Sequence, residues 1–278
     1  MIYLLLAIIS SALVSVIMRL STNRVRNNIG MLSMNYLTCL VIAAAFSGIT
    51  TLFPKSTQLP QALGLGAING ALYLFSFILF QRSVKKNGVV LSSIFMKLGL
   101  LVPLVLSILM FGEAPTVLQI IGFCIAIGAI ILINLKTDAS DTRMGPLLIF
   151  LLLMGGSADA MSKIYEETGP VSLSSQFLFY TFLVAFVLCI ILMLIKKQRI
   201  GRNEILYGCL IGIPNFFSAK FLLLSLDTVP AVVAYPTFSV GTILVVTLVG
   251  VAVFKERLTI KQIIAACAIL TALVMLNV

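Results

Sequence analysis

The sequence predicts an all-α integral membrane protein with ten transmembrane helices, arranged as two inverted five-helix repeats with the N- and C-termini outside. Three observations support this prediction: an excess of apolar residues, positive charge in alternate connections, and a motif that occurs twice. Hydrophobic residues make up 60% of the 278 residues and charged residues only 10%, whereas soluble domains average about 25% charged residues. This composition indicates a protein embedded in a bilayer.

Ten apolar stretches account for the predicted spans. A spanning helix needs about 20 mainly apolar residues, and runs such as GAIILINL lack the apolar–polar alternation of a barrel strand. Seven stretches carry no charge: Met1–Met18, Asn27–Pro54, Ser56–Gln81, Ala114–Leu135, Thr168–Ile195, Thr228–Phe254 and Gln262–Val278. Three hold internal charges: Asn87–Gly112, Met144–Tyr165 and Ile205–Leu226.

Lys and Arg concentrate in alternate connections between these spans. Of the 19 Lys and Arg residues, fifteen lie in the odd-numbered connections and only Lys55 lies in an even-numbered one. Because cytoplasmic loops are enriched in Lys and Arg, the odd connections are predicted to be cytoplasmic and both termini outside. The net charge of +10 is therefore mostly a topology signal, and we expect no nucleic-acid partner.

A repeated motif divides the chain into two halves. FGEAPTVLQIIG at 111–122 returns as FKERLTIKQIIA at 254–265, and a shift of 143 positions aligns Phe, Glu, Thr, Gln, Ile, Ile, Cys, Ala and Asn without a gap. Each half then holds five spans, and an odd number forces the second copy into the opposite orientation. We predict a first repeat at 1–135, a cytoplasmic linker at 136–145 and a second repeat at 146–278. Inverted repeats are a common plan of secondary transporters.

Both hairpins resemble the repeat-ending hairpin of EamA-like proteins in the drug/metabolite transporter superfamily. The stretch AKFLLLSLDTVPAVVAYPTFSVGTILVVTLVGVAVFKERLT also resembles that family in its Pro, Gly and Glu positions. The resemblance covers both halves and implies alternating access to a central cavity, lined by the first four helices of each half. It leaves the substrate open among amino acids, sugars, nucleotide-linked compounds, choline and drugs.

Charges inside the spans are the first candidates for a binding site. A Lys or Asp at the bilayer centre costs about 2.5–3.5 kcal/mol and usually faces a cavity or a partner. Lys97 lies about 14 Å into its span at 1.5 Å per residue, with Ser93 one turn earlier on the same face. As a functional group, Lys97 binds a substrate carboxylate or phosphate. The structural alternative is a Lys that snorkels or bonds to helix-end carbonyls.

Asp159 and Lys163 are spaced i, i+4 in the sixth span and share a helix face. In the functional interpretation they are the coupling residues, and Asp159 carries a proton or another cation. In the structural alternative they neutralise each other, which spares the membrane two unpaired charges.

Other polar residues of the spans are further candidates for substrate contact. Lys220 ranks after Lys97 as an anion ligand, with snorkelling as the alternative, and Pro214 is expected to kink the same helix. Gly66 and Gly70 are expected to permit close helix packing. The remaining substrate-binding candidates, for which bonding between helices is the more common role, are Asn69, Tyr73, Asn215 and Tyr235.

Several other features are assigned to structure. Glu113 and Glu256 each lie near the start of the following helix, where the helix dipole favours an acid. The five cysteines show no CxxC spacing and are expected to be free buried thiols, and the sequence holds no His. We therefore expect no metal site and no cofactor.

These observations favour a secondary active transporter for a small organic metabolite, such as an amino acid or another anionic or zwitterionic solute. The expected setting is the bacterial cytoplasmic (inner) membrane, and a proton or another ion is the candidate coupling partner. The alternative is a multidrug or organic-cation exporter coupled to protons, although the first span lacks the acid that small four-helix relatives use. A membrane-embedded enzyme is more remote, because a Ser93–Lys97 dyad is its one conceivable nucleophile. We expect no enzymatic activity.

Overall fold

The computed structural model describes residues 2–47, 52–99, 101–103, 105–106, 116–134, 145–226, 229, 231–256 and 258–275. Within these ranges all regular structure is helical, and a 3-10 turn at Val171–Leu173 precedes the seventh helix. The ten helices are α1 (Ile2–Ser21), α2 (Asn28–Ser47), α3 (Leu59–Asn87), α4 (Val89–Leu98), α5 (Val117–Asn134), α6 (Gly145–Thr168), α7 (Ser174–Ile195), α8 (Arg202–Leu226), α9 (Ala231–Ala252) and α10 (Ile260–Met275).

Half of these helices have both the length and the apolarity to cross a bilayer. α1, α2, α3, α7 and α8 each contain at least 18 residues of high mean hydropathy, and shorter apolar segments lie in α4, α5, α6, α9 and α10. Large apolar side chains point outward along the bundle, among them Ile2, Phe75, Leu194 and Leu248. The helical class is confirmed and the helices agree with a multi-pass membrane protein, while the count of ten spans stays a prediction.

Contacts between the two halves follow a two-fold pattern. α2 packs on α7, its counterpart in the second half, and α5 packs on α10. α1 packs on α8 and α9, just as α6 packs on α3 and α4; the α2–α8 contact is matched by the α7–α3 contact. Exchange of the two halves leaves this set of contacts unchanged, as expected for repeats related by a pseudo-two-fold axis.

Paired glycines bring helices of opposite halves into close contact. A Cβ on Gly70 would lie 2.5 Å from the carbonyl oxygen of Thr181 in α7, and one on Gly66 would meet α7 a turn earlier. The predicted packing role of these two glycines is confirmed. Sequence reasoning missed the equivalent pair on α8, where a Cβ on Gly208 or Gly212 would collide with α2. The spacing of four residues in both pairs was visible in the sequence.

The connection between α3 and α4 is shorter than predicted. α3 continues past the predicted end of its span to Asn87, and Lys85 and Lys86 lie in its last turn, where the helix dipole favours cations. Gly88 alone separates α3 from α4, with φ of 82° and ψ of 168°. Only glycine adopts this conformation readily, so the sharp junction depends on Gly88.

Glu256 caps a different helix from the one expected. Its carboxylate does not cap the helix that follows it: it accepts hydrogen bonds from the backbone N–H groups of Val89 (2.8 Å) and Val90 (3.2 Å), which begin α4. It also pairs with Arg19 Nε at 3.4 Å. The expected structural role remains, but the capped helix belongs to the other half. Glu113 lies outside the described residues.

A second acid joins the halves at the same end of the bundle. Glu204, near the start of α8, accepts hydrogen bonds from the N–H groups of Arg26 (2.9 Å) and Asn27 (3.0 Å), just before α2. Asn203 Nδ2 donates to the carbonyl of Arg24 at 2.9 Å. The first and seventh connections therefore meet. The Arg19–Glu256 pair brings the ninth connection to the first, and the hydrogen bonds of Glu256 to Val89 and Val90 bring the third to the same end. Four Lys- and Arg-rich connections lie together, as the topology prediction requires.

Candidate functional site

Lys97 lies in the last turn of α4 and contacts an aromatic ring of the opposite half. Its Nζ is 3.8 Å from the ring centroid of Phe238 in α9, a distance at which a cation is attracted to the ring face. Lys97 is half-buried and Phe238 is buried. Sequence reasoning missed Phe238, although the shift of 143 positions pairs it with Phe95.

Asp159 lies on the inward side of α6. Ile149, Phe150 and Leu153 are exposed and mark the outward side of this helix. At about 100° per residue, Asp159 lies about 130° around the helix from their mean direction. Asp159 is nevertheless exposed by surface area, although it lies away from the outward side of α6.

Three of the predicted residues lie near one another in this part of the bundle. Asp159 lies within electrostatic range of both Lys97 and Tyr73, which belong to α4 and α3. Neither charge is neutralised by direct contact with the other, because no N–O distance of 4 Å or less joins Lys97 and Asp159 among the described side chains. Tyr73 stacks on Phe77 at 5.8 Å between ring centroids.

Lys163 and Tyr235 belong to α6 and α9, but their side chains lie outside the described set. Their predicted roles in coupling and substrate binding stay predictions. The structural alternative for Asp159, an ion pair with Lys163, stays a prediction for the same reason.

Ser93 is placed in a contact between helices. Its hydroxyl donates to Ser15 Oγ of α1 at 3.1 Å, and both serines are buried. Lys97 lies one turn away but contacts Phe238. These contacts describe helix packing at Ser93 and show no Ser–Lys hydrogen bond between the two described side chains.

Asn69 and Asn215 each form a hydrogen bond between helices. Asn69 Nδ2 lies 3.5 Å from Thr181 Oγ1, and Asn215 Nδ2 donates to Asn35 Oδ1 at 3.2 Å. Both contacts are of the kind that the structural alternative expects, and the substrate-binding roles of the two residues stay predictions. Each contact leaves a buried amide atom without a described partner, Asn69 Oδ1 in one and Asn35 Nδ2 in the other.

Lys220 belongs to a different part of the bundle. Its Nζ lies 3.7 Å from the ring centroid of Phe46 and 6.0 Å from that of Phe216. The α8 helix continues through Pro214 from Arg202 to Leu226. Lys220 lines a cavity of about 180 Å³ between α2, α7 and α8. The two lysines that the sequence ranked first and second as anion ligands therefore contact rings of different helices, Phe238 of α9 for Lys97 and Phe46 of α2 for Lys220.

The cysteines are free, as predicted, but not all are buried. Cys39 and Cys189 are buried, whereas Cys124 and Cys267 are exposed on the last helix of each half. In the part of the chain that the structure describes, no three acidic, Cys or His side chains group as metal ligands do.

The chain consists of two related halves of apolar helices, whose contacts follow a two-fold pattern and which carry charged side chains inside. This arrangement is typical of membrane transporters built from internal repeats. The chain belongs to the EamA-like transporter family, whose sequence model matches residues 1–135 and again residues 143–278. The expected family is thereby confirmed, and the protein is a membrane transporter of small solutes. The family consists of transporters, which fits the expectation that the protein is not an enzyme.

One relative extends along nearly the whole chain. An uncharacterized protein from Haemophilus influenzae is 26% identical over 271 residues, which cover 92% of this chain and 90% of the relative. The similarity supports a common architecture, but it does not indicate which substrate is transported.

Proposed function

We propose that this protein is a secondary active transporter that moves a small organic anion or zwitterion, such as an amino acid, across a bacterial cytoplasmic membrane. The two halves rock about a central site and expose it to each side in turn. The end that holds the Lys- and Arg-rich connections faces the cytoplasm, and both termini lie outside. A proton or another ion couples to the movement.

The observation that carries this proposal is the placement of Lys97 and Asp159. A Lys inside a bilayer protein usually pairs with an acid or binds a ligand. Asp159 is the acid that could pair with Lys97, but no ion pair joins these two side chains. A zwitterion matches this arrangement, because its carboxylate can approach Lys97 while its ammonium approaches Asp159. Phe238 and Tyr73 supply apolar surface beside the charges.

The exposed Asp159 also supports a second function, the export of organic cations coupled to protons. In that function the carboxylate of Asp159 binds the cation, the Phe238 ring contacts it, and Lys97 is displaced from the ring. The two functions make opposite predictions for the charge of the ligand.

A thermal-stability screen of the purified protein decides between them. A ligand that binds only the folded state adds about 2.7 kcal/mol of stability at 100 times its dissociation constant. We expect amino acids or organic anions to raise the melting temperature, and Lys97→Met to remove that increase. Stabilisation by lipophilic cations alone would support the exporter and contradict the proposed substrate class.

Asp159→Asn tests the coupling role. We expect transport driven by a pH gradient to fall to background in proteoliposomes, because the amide cannot take up and release the coupling proton. Exchange of solute without a gradient should continue, since it requires no net movement of the coupling ion. Ser157→Ala, which changes a neighbouring polar side chain on α6, serves as the control. Full pH-driven transport by Asp159→Asn would exclude this residue as the carrier.

A further inference from the structure

We propose that the cavity around Lys220 is a second binding site, distinct from the central one, for a small organic anion with an apolar body. Eight of the described residues line it: Ala43, Phe46, Ser174, Ser175, Leu178, Phe216, Lys220 and Leu224. This inference goes beyond the proposed function, because it concerns binding at another place in the bundle and does not require transport through the central site.

The cavity lies at one end of the bundle. Ala43 and Phe46 belong to the last turns of α2, Ser174 and Ser175 begin α7, and Leu224 lies near the end of α8. This end is opposite to the end where Glu204 meets the start of α2. The proposed topology places it at the outer surface of the membrane. None of the lining residues belongs to α3, α4, α6 or α9, the helices that carry the central group.

The charges of the lining select an anion. Lys220 is the one charged residue among the eight described lining residues. Its Nζ lies 3.7 Å from the Phe46 ring centroid, so one side of the ammonium rests on the ring and its remaining N–H groups can donate elsewhere. Hydrogen bonds from an ammonium to a carboxylate or phosphate are about twice as strong as those between neutral groups. Two serine hydroxyls add polar groups of the kind that also bond to anionic oxygens.

The size and the walls of the cavity select a small ligand with an apolar body. Its volume of about 180 Å³ is below the roughly 300–1,000 Å³ of pockets that enclose drug-sized ligands. Phe216, Leu178 and Leu224 form apolar walls, and Phe46 is 56% exposed at the rim. A short apolar carboxylate meets both requirements. The anionic headgroup of a membrane lipid presents the same chemistry from the bilayer side.

A single-tryptophan reporter tests the proposal, since the sequence contains no Trp. Phe217 does not line the cavity, but its ring centroid lies 6.0 Å from that of Phe46 and 5.5 Å from that of Phe216. Phe217→Trp therefore places an indole beside the site. The protein is titrated in uncharged maltoside micelles with hexanoate, with hexanol, and with dihexanoyl phosphatidylglycerol, while the emission is recorded.

We expect a saturable change of emission with hexanoate and none with hexanol. Lys220→Met in the same background should weaken the apparent Kd by about tenfold or more, because the charge-assisted hydrogen bond is lost. Lys55→Met, which removes an exposed Lys from the connection after α2, should leave the Kd unchanged. A response to the phosphatidylglycerol alone, abolished by Lys220→Met, would support the site and identify the lipid as the source of the anion.

Two outcomes would overturn the proposal: no response to either anion, or a response that persists in Lys220→Met. If the reporter variant fails to fold, the melting temperatures of the unmodified chain and of Lys220→Met with hexanoate and hexanol give the same decision. Either negative result leaves the central site untouched, because neither experiment measures transport.

Discussion

We expect Lys97→Met to abolish transport while the protein still folds. Methionine retains the apolar stem of Lys97 within α4 but removes the cation that lies 3.8 Å from the Phe238 ring centroid. Loss of one partner from a buried charge pair costs about 2–5 kcal/mol of binding, which corresponds to a factor of about 300 near the middle of that range. Initial rates of solute exchange in proteoliposomes measure the loss.

The matched control is Lys85→Met, which removes an exposed Lys from the last turn of α3. This variant should transport like the unmodified protein, and both variants should elute as single species at size exclusion. Lys97→Arg should recover part of the activity, since the guanidinium restores the positive charge but is planar and larger than the ammonium of Lys. Normal exchange by Lys97→Met would remove Lys97 from the site and return it to a structural role.

Glu256→Gln destabilises the protein through the contact between its halves. The two carboxylate oxygens accept from Val89 and Val90 and also face Arg19. Glutamine offers a single acceptor, so its NH₂ group would face one of the two N–H donors and Arg19 would lose its counterion. Hydrogen bonds to a charged group contribute about 1.5–3 kcal/mol each, and we expect a loss of about 2 kcal/mol in the free energy of unfolding.

Thermal unfolding in detergent measures this loss, and Lys255→Gln is the matched control at the neighbouring exposed position. The control should leave the melting temperature unchanged. If the two variants unfold at the same temperature, Glu256 does not hold the halves together. The same contact also explains Gly88, where a Cβ would lie 2.8 Å from the Glu256 carboxylate.

Local patterns in the sequence predicted the architecture because they repeat. The shift of 143 positions pairs α1–α5 with α6–α10 in order. The concentration of Lys and Arg in the odd-numbered connections predicted that these connections lie at the same end of the bundle. Apolar composition gave the helical membrane class. Each of these signals averages over many residues, so a single misread position does not change the conclusion.

The pairings between halves could not be read from the sequence. Glu256 was assigned to the helix beside it in the chain, yet it caps α4, which lies 166–167 positions away. Lys97 and Asp159 were singled out by the cost of burying charge, and their roles stay predictions. The Phe238 ring, which the sequence did not indicate, contacts Lys97 through the packing of α4 on α9. Lys220 was ranked by depth along its helix, and only the fold shows that it faces a separate cavity.

Counterflow in proteoliposomes tests the central claim most directly. Vesicles are loaded with the unlabelled solute that stabilises the purified protein, and the uptake of labelled solute is then followed without an ion gradient. The account predicts transient accumulation that saturates with solute and disappears in Lys97→Met but persists in Lys85→Met. Uptake that is linear in concentration, or equal in the two variants, would contradict an alternating-access transporter whose central site contains Lys97.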